Sequence, residues 1–117
     1  MSVLSLHLLL IGAVFSLAGG IQSRFPPKKI NHFYGYRTPA SQRSQAAWDF
    51  AQSYSARLML RLGLGLLGFG IAAEILALET DFGLALGLGL PLGSALLLIF
   101  QVERTLRDRF PRPPKKQ

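Results

Sequence analysis

Three stretches of about twenty residues, 3–21, 58–78 and 82–102, are apolar and nearly free of charge, and no other feature restricts the fold of this chain so strongly. Half of the 117 residues are hydrophobic and only 16% are charged, so a soluble domain of this size could not cover its apolar side chains with polar surface. Grouped in blocks, these residues predict three helices across a bilayer, whose hydrocarbon core takes about 20 helical residues to cross. The Leu-Gly-Leu-Gly-Leu runs alternate with period two, as strands do. Glycine weakens strands, however, and so short a chain cannot close a membrane barrel. The expected class is therefore all-α: one integral membrane domain, residues 1–117, built as a three-helix bundle.

The first 23 residues contain no Lys or Arg, so the first block lacks the basic leader of a signal peptide and reads as an uncleaved anchor. The formal charge of +7 is concentrated in two flanking segments. The 23–57 loop carries Arg24, Lys28, Lys29, Arg37, Arg43 and Arg57 against Asp49. The 103–117 tail carries Arg104, Arg107, Arg109, Arg112, Lys115 and Lys116 against Glu103 and Asp108. The Glu79-Thr80-Asp81 hairpin is acidic. Basic segments stay on the cytoplasmic side, which predicts a cytoplasmic loop and tail, with the N-terminus and hairpin outside. The charge thus points to anionic lipid head groups as partners and not to nucleic acid.

Between membrane helices, close backbone approach replaces hydrophobic burial as the source of attraction. Small residues at four-residue spacing are the signal: Gly12, Ser16 and Gly20 in the first span, Gly68 and Ala72 in the second, Gly83 and Gly87 in the third. In span two, Gly63 and Gly70 share one face, and Gly65, Gly68 and Ala72 fall opposite. In span three, Ala85, Gly89 and Gly93 occupy a second side. Small residues on two sides of two helices suggest a homo-oligomer. Pro91 is expected to bend span three. Glu74 lies on the Gly63/Gly70 face inside span two, which makes it the intramembrane polar candidate. Arg61 should snorkel to the head groups.

The 23–57 loop is long for so small a protein. Pro26-Pro27 stops any helix after the first span. Phe33, Tyr34 and Tyr36 suit the head-group level. Thr38 followed by Pro39 reads as a cap with proline at the first helical position. Ala47, Phe50, Ala51, Tyr54 and Leu58 then recur at three- and four-residue spacing. This predicts an interfacial amphipathic helix from about Pro39, lying on the membrane or running into span two, with Trp48 as its interface anchor. Gly35 suits a turn, Arg37 offers a planar fork for a carboxylate or phosphate, and Asn31 can bond backbone on either side.

Asn31, Tyr34-Gly35-Tyr36-Arg37-Thr38-Pro39, Ser41 and Trp48, ahead of a glycine-rich span, resemble the signature of the SdpI family of bacterial membrane proteins. Gln52 stands where members often carry Asn, and longer relatives add spans ahead of this unit. The resemblance implies the bacterial cytoplasmic (inner) membrane. It also implies a role like that of the best-known member, which protects its producer from a secreted toxic peptide and holds a transcriptional repressor at the membrane. Partner- or lipid-binding candidates are then Asn31, Tyr34, Gly35, Tyr36, Arg37, Thr38 and Trp48. The expected partner is a peptide toxin, a regulatory protein or a lipid.

No metal-ligand spacing, phosphate loop, dinucleotide fingerprint or nucleophile elbow is present, and the chain has no cysteine. Neither an enzyme nor a cofactor or metal site is expected. Two alternatives stand beside the immunity or signalling reading: an oligomeric channel or transporter using Glu74, and a structural, lipid-binding membrane component.

Overall fold

The computed structural model describes residues 1–78 and 81–112. It consists of α1 (Val3–Arg24), α2 (Gln45–Ile75) and α3 (Gly83–Arg109). All three are long and apolar enough to cross a membrane, with mean hydropathy of 2.0, 1.7 and 2.1 in their most apolar windows. At about 1.5 Å per residue, α1 matches a hydrocarbon core of roughly 30 Å. The 31 residues of α2 exceed that thickness, so its polar first turns stand beyond the core. The protein is a helical membrane bundle, 60 × 31 × 20 Å in extent.

α1 and α2 pack most intimately, and glycine is the reason. A Cβ on Gly12 would lie 2.8 Å from the Leu67 backbone nitrogen, and one on Gly19 2.6 Å from that of Leu60. From the other side, a Cβ on Gly63 would come within 2.5 Å of the Ser16 nitrogen. The buried pair on α1 is thus Gly12 and Gly19, seven residues apart like Gly63 and Gly70 on α2. Gly20, expected at the contact from four-residue spacing, faces open space. A seven-residue spacing keeps a seam in register along helices that wind around each other with a left-handed twist, whereas four-residue spacing belongs to steeper right-handed crossings. Gly65, Gly68, Gly89 and Gly93 have nothing within 4 Å of a built Cβ. Their side is left out of the chain's own packing.

α3 meets α1 through Gly83 and Gly87, opposite Leu4 and His7. Pro91 is buried inside α3, which continues through it. α2 ends in a Schellman motif: Ala77 N–H donates to Glu74 O (3.1 Å) and Leu78 N–H to Ala73 O (2.9 Å). Ala77 takes the left-handed conformation (φ 51°) that this motif requires. Of the acidic hairpin, Glu79 and Thr80 lie outside the described residues, as do Lys115 and Lys116 of the tail.

The amphipathic segment differs from expectation in where it starts. Thr38 and Pro39 open only one turn, in which Gln42 N–H donates to Thr38 O (3.1 Å) and Ser41 N–H to Thr38 Oγ1 (3.2 Å). Ser41 Oγ turns back to accept from Thr38 N–H (2.9 Å), which closes the turn on itself. The helix restarts at Ser44, whose hydroxyl accepts from Ala47 N–H (3.0 Å) and caps α2. From there the polar segment and span two form one uninterrupted helix.

Candidate partner-binding site at the basic end of the bundle

The loop between α1 and α2 folds back over the end of the bundle and is held by side chains bonded to backbone. Asn31 Oδ1 accepts from Phe33 N–H (2.9 Å) and Tyr34 N–H (2.8 Å), while its amide donates to Lys29 O (2.9 Å). Tyr34 OH donates to Phe25 O at 2.8 Å and so ties the turn back to the end of α1. Gly35 has φ +105°, and a Cβ there would fall 2.4 Å from Gln52 Oε1, so both conformation and space require glycine.

Gln52 is the hub. Its Oε1 accepts from Tyr36 N–H (2.7 Å) and its Nε2 donates to Tyr36 O (2.7 Å), so the side chain pairs with the loop backbone as a neighbouring strand would. From α1, Gln22 Nε2 donates to Gln52 O (3.1 Å), to Gln52 Oε1 (3.3 Å) and to Ser55 Oγ (3.1 Å). Two carbonyl oxygens among those partners fix the Gln22 amide with its nitrogen inward. Gln52 and Ser55 are each 1% exposed, so these bonds are shielded from water.

Trp48 is wholly buried, with its Nε1 donating to Pro27 O (2.7 Å). It was expected as an interface anchor in contact with partner or lipid, but that site is closed to it. Its ring fills the space under the Pro26-Pro27 segment, and the indole N–H satisfies a loop carbonyl that would otherwise lack a donor. Of the other candidates, Asn31, Tyr34, Gly35, Tyr36, Arg37 and Thr38 lie together in this loop. Glu74 does not join them. It sits at the opposite end of α2, about 30 Å away by helical rise, with Oε1 4.0 Å from the Met1 amine.

Gln22, Ser55 and Glu103 were not singled out in the sequence as site residues, and Gln52 was noted only as standing where relatives often carry Asn. Gln52 and Ser55 follow Trp48 by four and seven residues and therefore share its helix face. Two polar residues beside a buried tryptophan would have been the signal.

Tyr36 OH reaches across to α3 and donates to Glu103 Oε1 (2.8 Å), the bond that clips the loop to the third helix. Burial, then the hydrogen bond to Glu103 and that carboxylate's charge, raise the Tyr36 pKa above its ordinary 10, and a bond with Thr38 opposes them. A phenol whose folded-state pKa is raised contributes stability that is present below the unfolded value of about 10 and is lost as pH rises through the folded value. The phenolate absorbance removed by Tyr36→Phe is therefore expected above pH about 10, and the pH-dependent loosening of the loop should vanish in that variant. If the component lost in Tyr36→Phe is centred at the ordinary tyrosine value of about 10, the Glu103 clip is contradicted.

Beside this network lies a cavity of about 280 Å³. Gln22, Arg37, Thr38 and Ser55 line one part of it, and Met59, Leu98 and Ile99 the other. Arg37 is exposed and donates through Nη1 to His32 O, which leaves most of its five N–H groups unused. Among the described residues the only ion pair within 4 Å is Met1–Glu74, so no described basic side chain at this end makes a direct ion pair. Arg109 stacks instead on the Phe50 ring, 4.8 Å from its centroid.

The YfhL protein of Bacillus subtilis (strain 168) is 45% identical over 60 residues, which make up 51% of this chain and 54% of the relative. The chain thus spans about half the length of that curated relative. No solved structure matches it. The model of the SdpI/YfhL protein family matches residues 28–102, which takes in the loop from Lys28, the whole of α2 and most of α3. Nearly two-thirds of the sequence, including every loop candidate described above, falls within that match, and the chain belongs to the SdpI/YfhL family.

Proposed function

We propose that this protein is a binding protein of the immunity or signalling type, which recognises a peptide, protein or lipid partner at the membrane and protects the cell against an antimicrobial peptide. It performs no catalysis in this reading. The bacterial cytoplasmic membrane is its site, with the N-terminus outside and the motif loop and tail in the cytoplasm, as the distribution of Lys and Arg favours. Family membership supports the reading. The observation that carries it is the exposed Arg37, with no carboxylate within 4 Å among the described residues, beside a cavity lined by both polar and apolar side chains. A rigid scaffold presenting a basic loop is the arrangement expected of a recognition surface.

A toxin-challenge assay tests it. Cells producing the chain are expected to survive a membrane-active peptide at concentrations that kill cells with an empty vector. Arg37→Ala, produced at equal level in the membrane, should reduce survival to that of the vector. Protection by neither protein across a panel of such peptides would refute the protective role, and full protection by Arg37→Ala would remove Arg37 from the site.

A further inference from the structure

We propose that the cavity beside Arg37 is a binding site for one anionic phospholipid, with the phosphate on Arg37 and the start of an acyl chain along Met59, Leu98 and Ile99. The cavity is two-sided in chemistry, and an amphiphile is the molecule with that division. Arg37 supplies a guanidinium with unused donors and, among the described residues, no carboxylate within 4 Å, which suits a phosphate. Gln22 uses its amide nitrogen for Gln52 and Ser55, and its Oε1 has no hydrogen-bond partner among the described residues. That oxygen is an acceptor available to a head-group hydroxyl.

At the other side, Leu98 is buried while Ile99 is 46% exposed on α3, so the apolar wall runs out onto the lipid-facing surface. A free phosphate would gain nothing from that wall. A volume of about 280 Å³ is at the lower end of ligand pockets, about 300–1,000 Å³. It accommodates a head group and the first methylenes, with the remaining tail left in the bilayer, where a folded peptide would not fit. The site also lies at the bundle end where Tyr34, Tyr36 and the basic residues collect, at the level of lipid head groups.

This inference deepens the binding reading by naming a ligand class, yet it is measured on purified protein, whereas protection is measured in cells, so either can fail alone. The full chain, in detergent, is titrated with phosphatidylglycerol, phosphatidylethanolamine and inorganic phosphate, and bound species are counted by native mass spectrometry. The expected result is one phosphatidylglycerol per chain, held roughly tenfold more tightly than phosphatidylethanolamine, with no competition from millimolar phosphate. Arg37→Gln should lose that preference, and Arg43→Gln, the same charge change on an exposed loop residue outside the cavity, should keep it. If Arg37→Gln fails to fold, the three-ligand comparison on the unaltered chain still decides. Equal retention of both lipids, effective competition by phosphate, displacement by an acidic peptide that itself binds more tightly, or equal losses in the two variants would each overturn the proposal.

Discussion

Replacing Gly63 by leucine is expected to pry α1 from α2 and to lower stability by about 3 kcal/mol, the upper end for overpacking. The new Cβ would stand 2.5 Å from the Ser16 nitrogen and 2.6 Å from Ser16 Oγ. The nearest obstacle is backbone, which no change of rotamer can move. Ser16 Oγ is already buried there without a hydrogen-bond partner, so the contact has no slack. Lipid provides no compensating hydrophobic drive, so separation of the helices is the response available. Gly68→Leu is the control, because nothing lies within 4 Å of its Cβ position. It should change stability by no more than about 0.5 kcal/mol. Unfolding by denaturing detergent, followed by circular dichroism, measures both, and similar midpoints for the two variants would contradict the α1–α2 seam.

The second large effect is expected at Gln52. Leucine has nearly the same bulk but neither donor nor acceptor. Gln52→Leu would leave Tyr36 N–H without a partner and Tyr36 O with only the Ser41 hydroxyl, while Gln22 keeps Gln52 O and Ser55 Oγ. A buried polar group left unsatisfied costs about 1–3 kcal/mol, so about 2 kcal/mol is expected for the lost pair of bonds after water enters the opened loop. The damage should be local. Amide exchange should rise across 33–42, with the apolar halves of α1 and α3 unaffected. Protection of the Tyr36 amide at the level of the unaltered chain would show that Gln52 is not what holds the loop.

These two residues also show what was legible in the sequence. The helices were, because lipid leaves backbone polar groups no partner but the helix itself, and three charge-poor blocks of the right length state that directly. The Gly63/Gly70 face was legible from helical phase alone. The α1 side was not: four-residue and seven-residue spacings coexist in Gly12, Ser16, Gly19 and Gly20, and only packing against α2 selects between them.

The motif loop was legible as a cluster but not as a mechanism. Asn31, Gly35 and Thr38 took the local turn roles their chemistry suggests. Trp48 was misplaced because a lone tryptophan near a span normally marks the interface. Here the carbonyl of Pro27, 21 residues away in sequence, accepts its N–H at 2.7 Å. Gln52 looked like part of the wet face of an amphipathic helix, since nothing local reveals that a loop and Gln22 will cover it. The helix was present and ran into span two, but its start was placed six residues early: two competing caps, Thr38 and Ser44, lie six residues apart, and the later one governs α2.

The fold brings the motif loop and the end of α3 together at one end of the bundle, which puts the loop and the basic tail on one side of the membrane and the α2–α3 hairpin on the other. The chain contains no cysteine, so single cysteines report without background. Arg43→Cys in the loop, Arg112→Cys in the tail and Asp81→Cys at the hairpin should be compared in intact cells with a maleimide that cannot cross the membrane. Labelling of Asp81→Cys alone, with the other two reacting only after the membrane is opened, is the expected result. Labelling of Arg43→Cys in intact cells, or of Arg43→Cys and Arg112→Cys from opposite sides, would contradict the account.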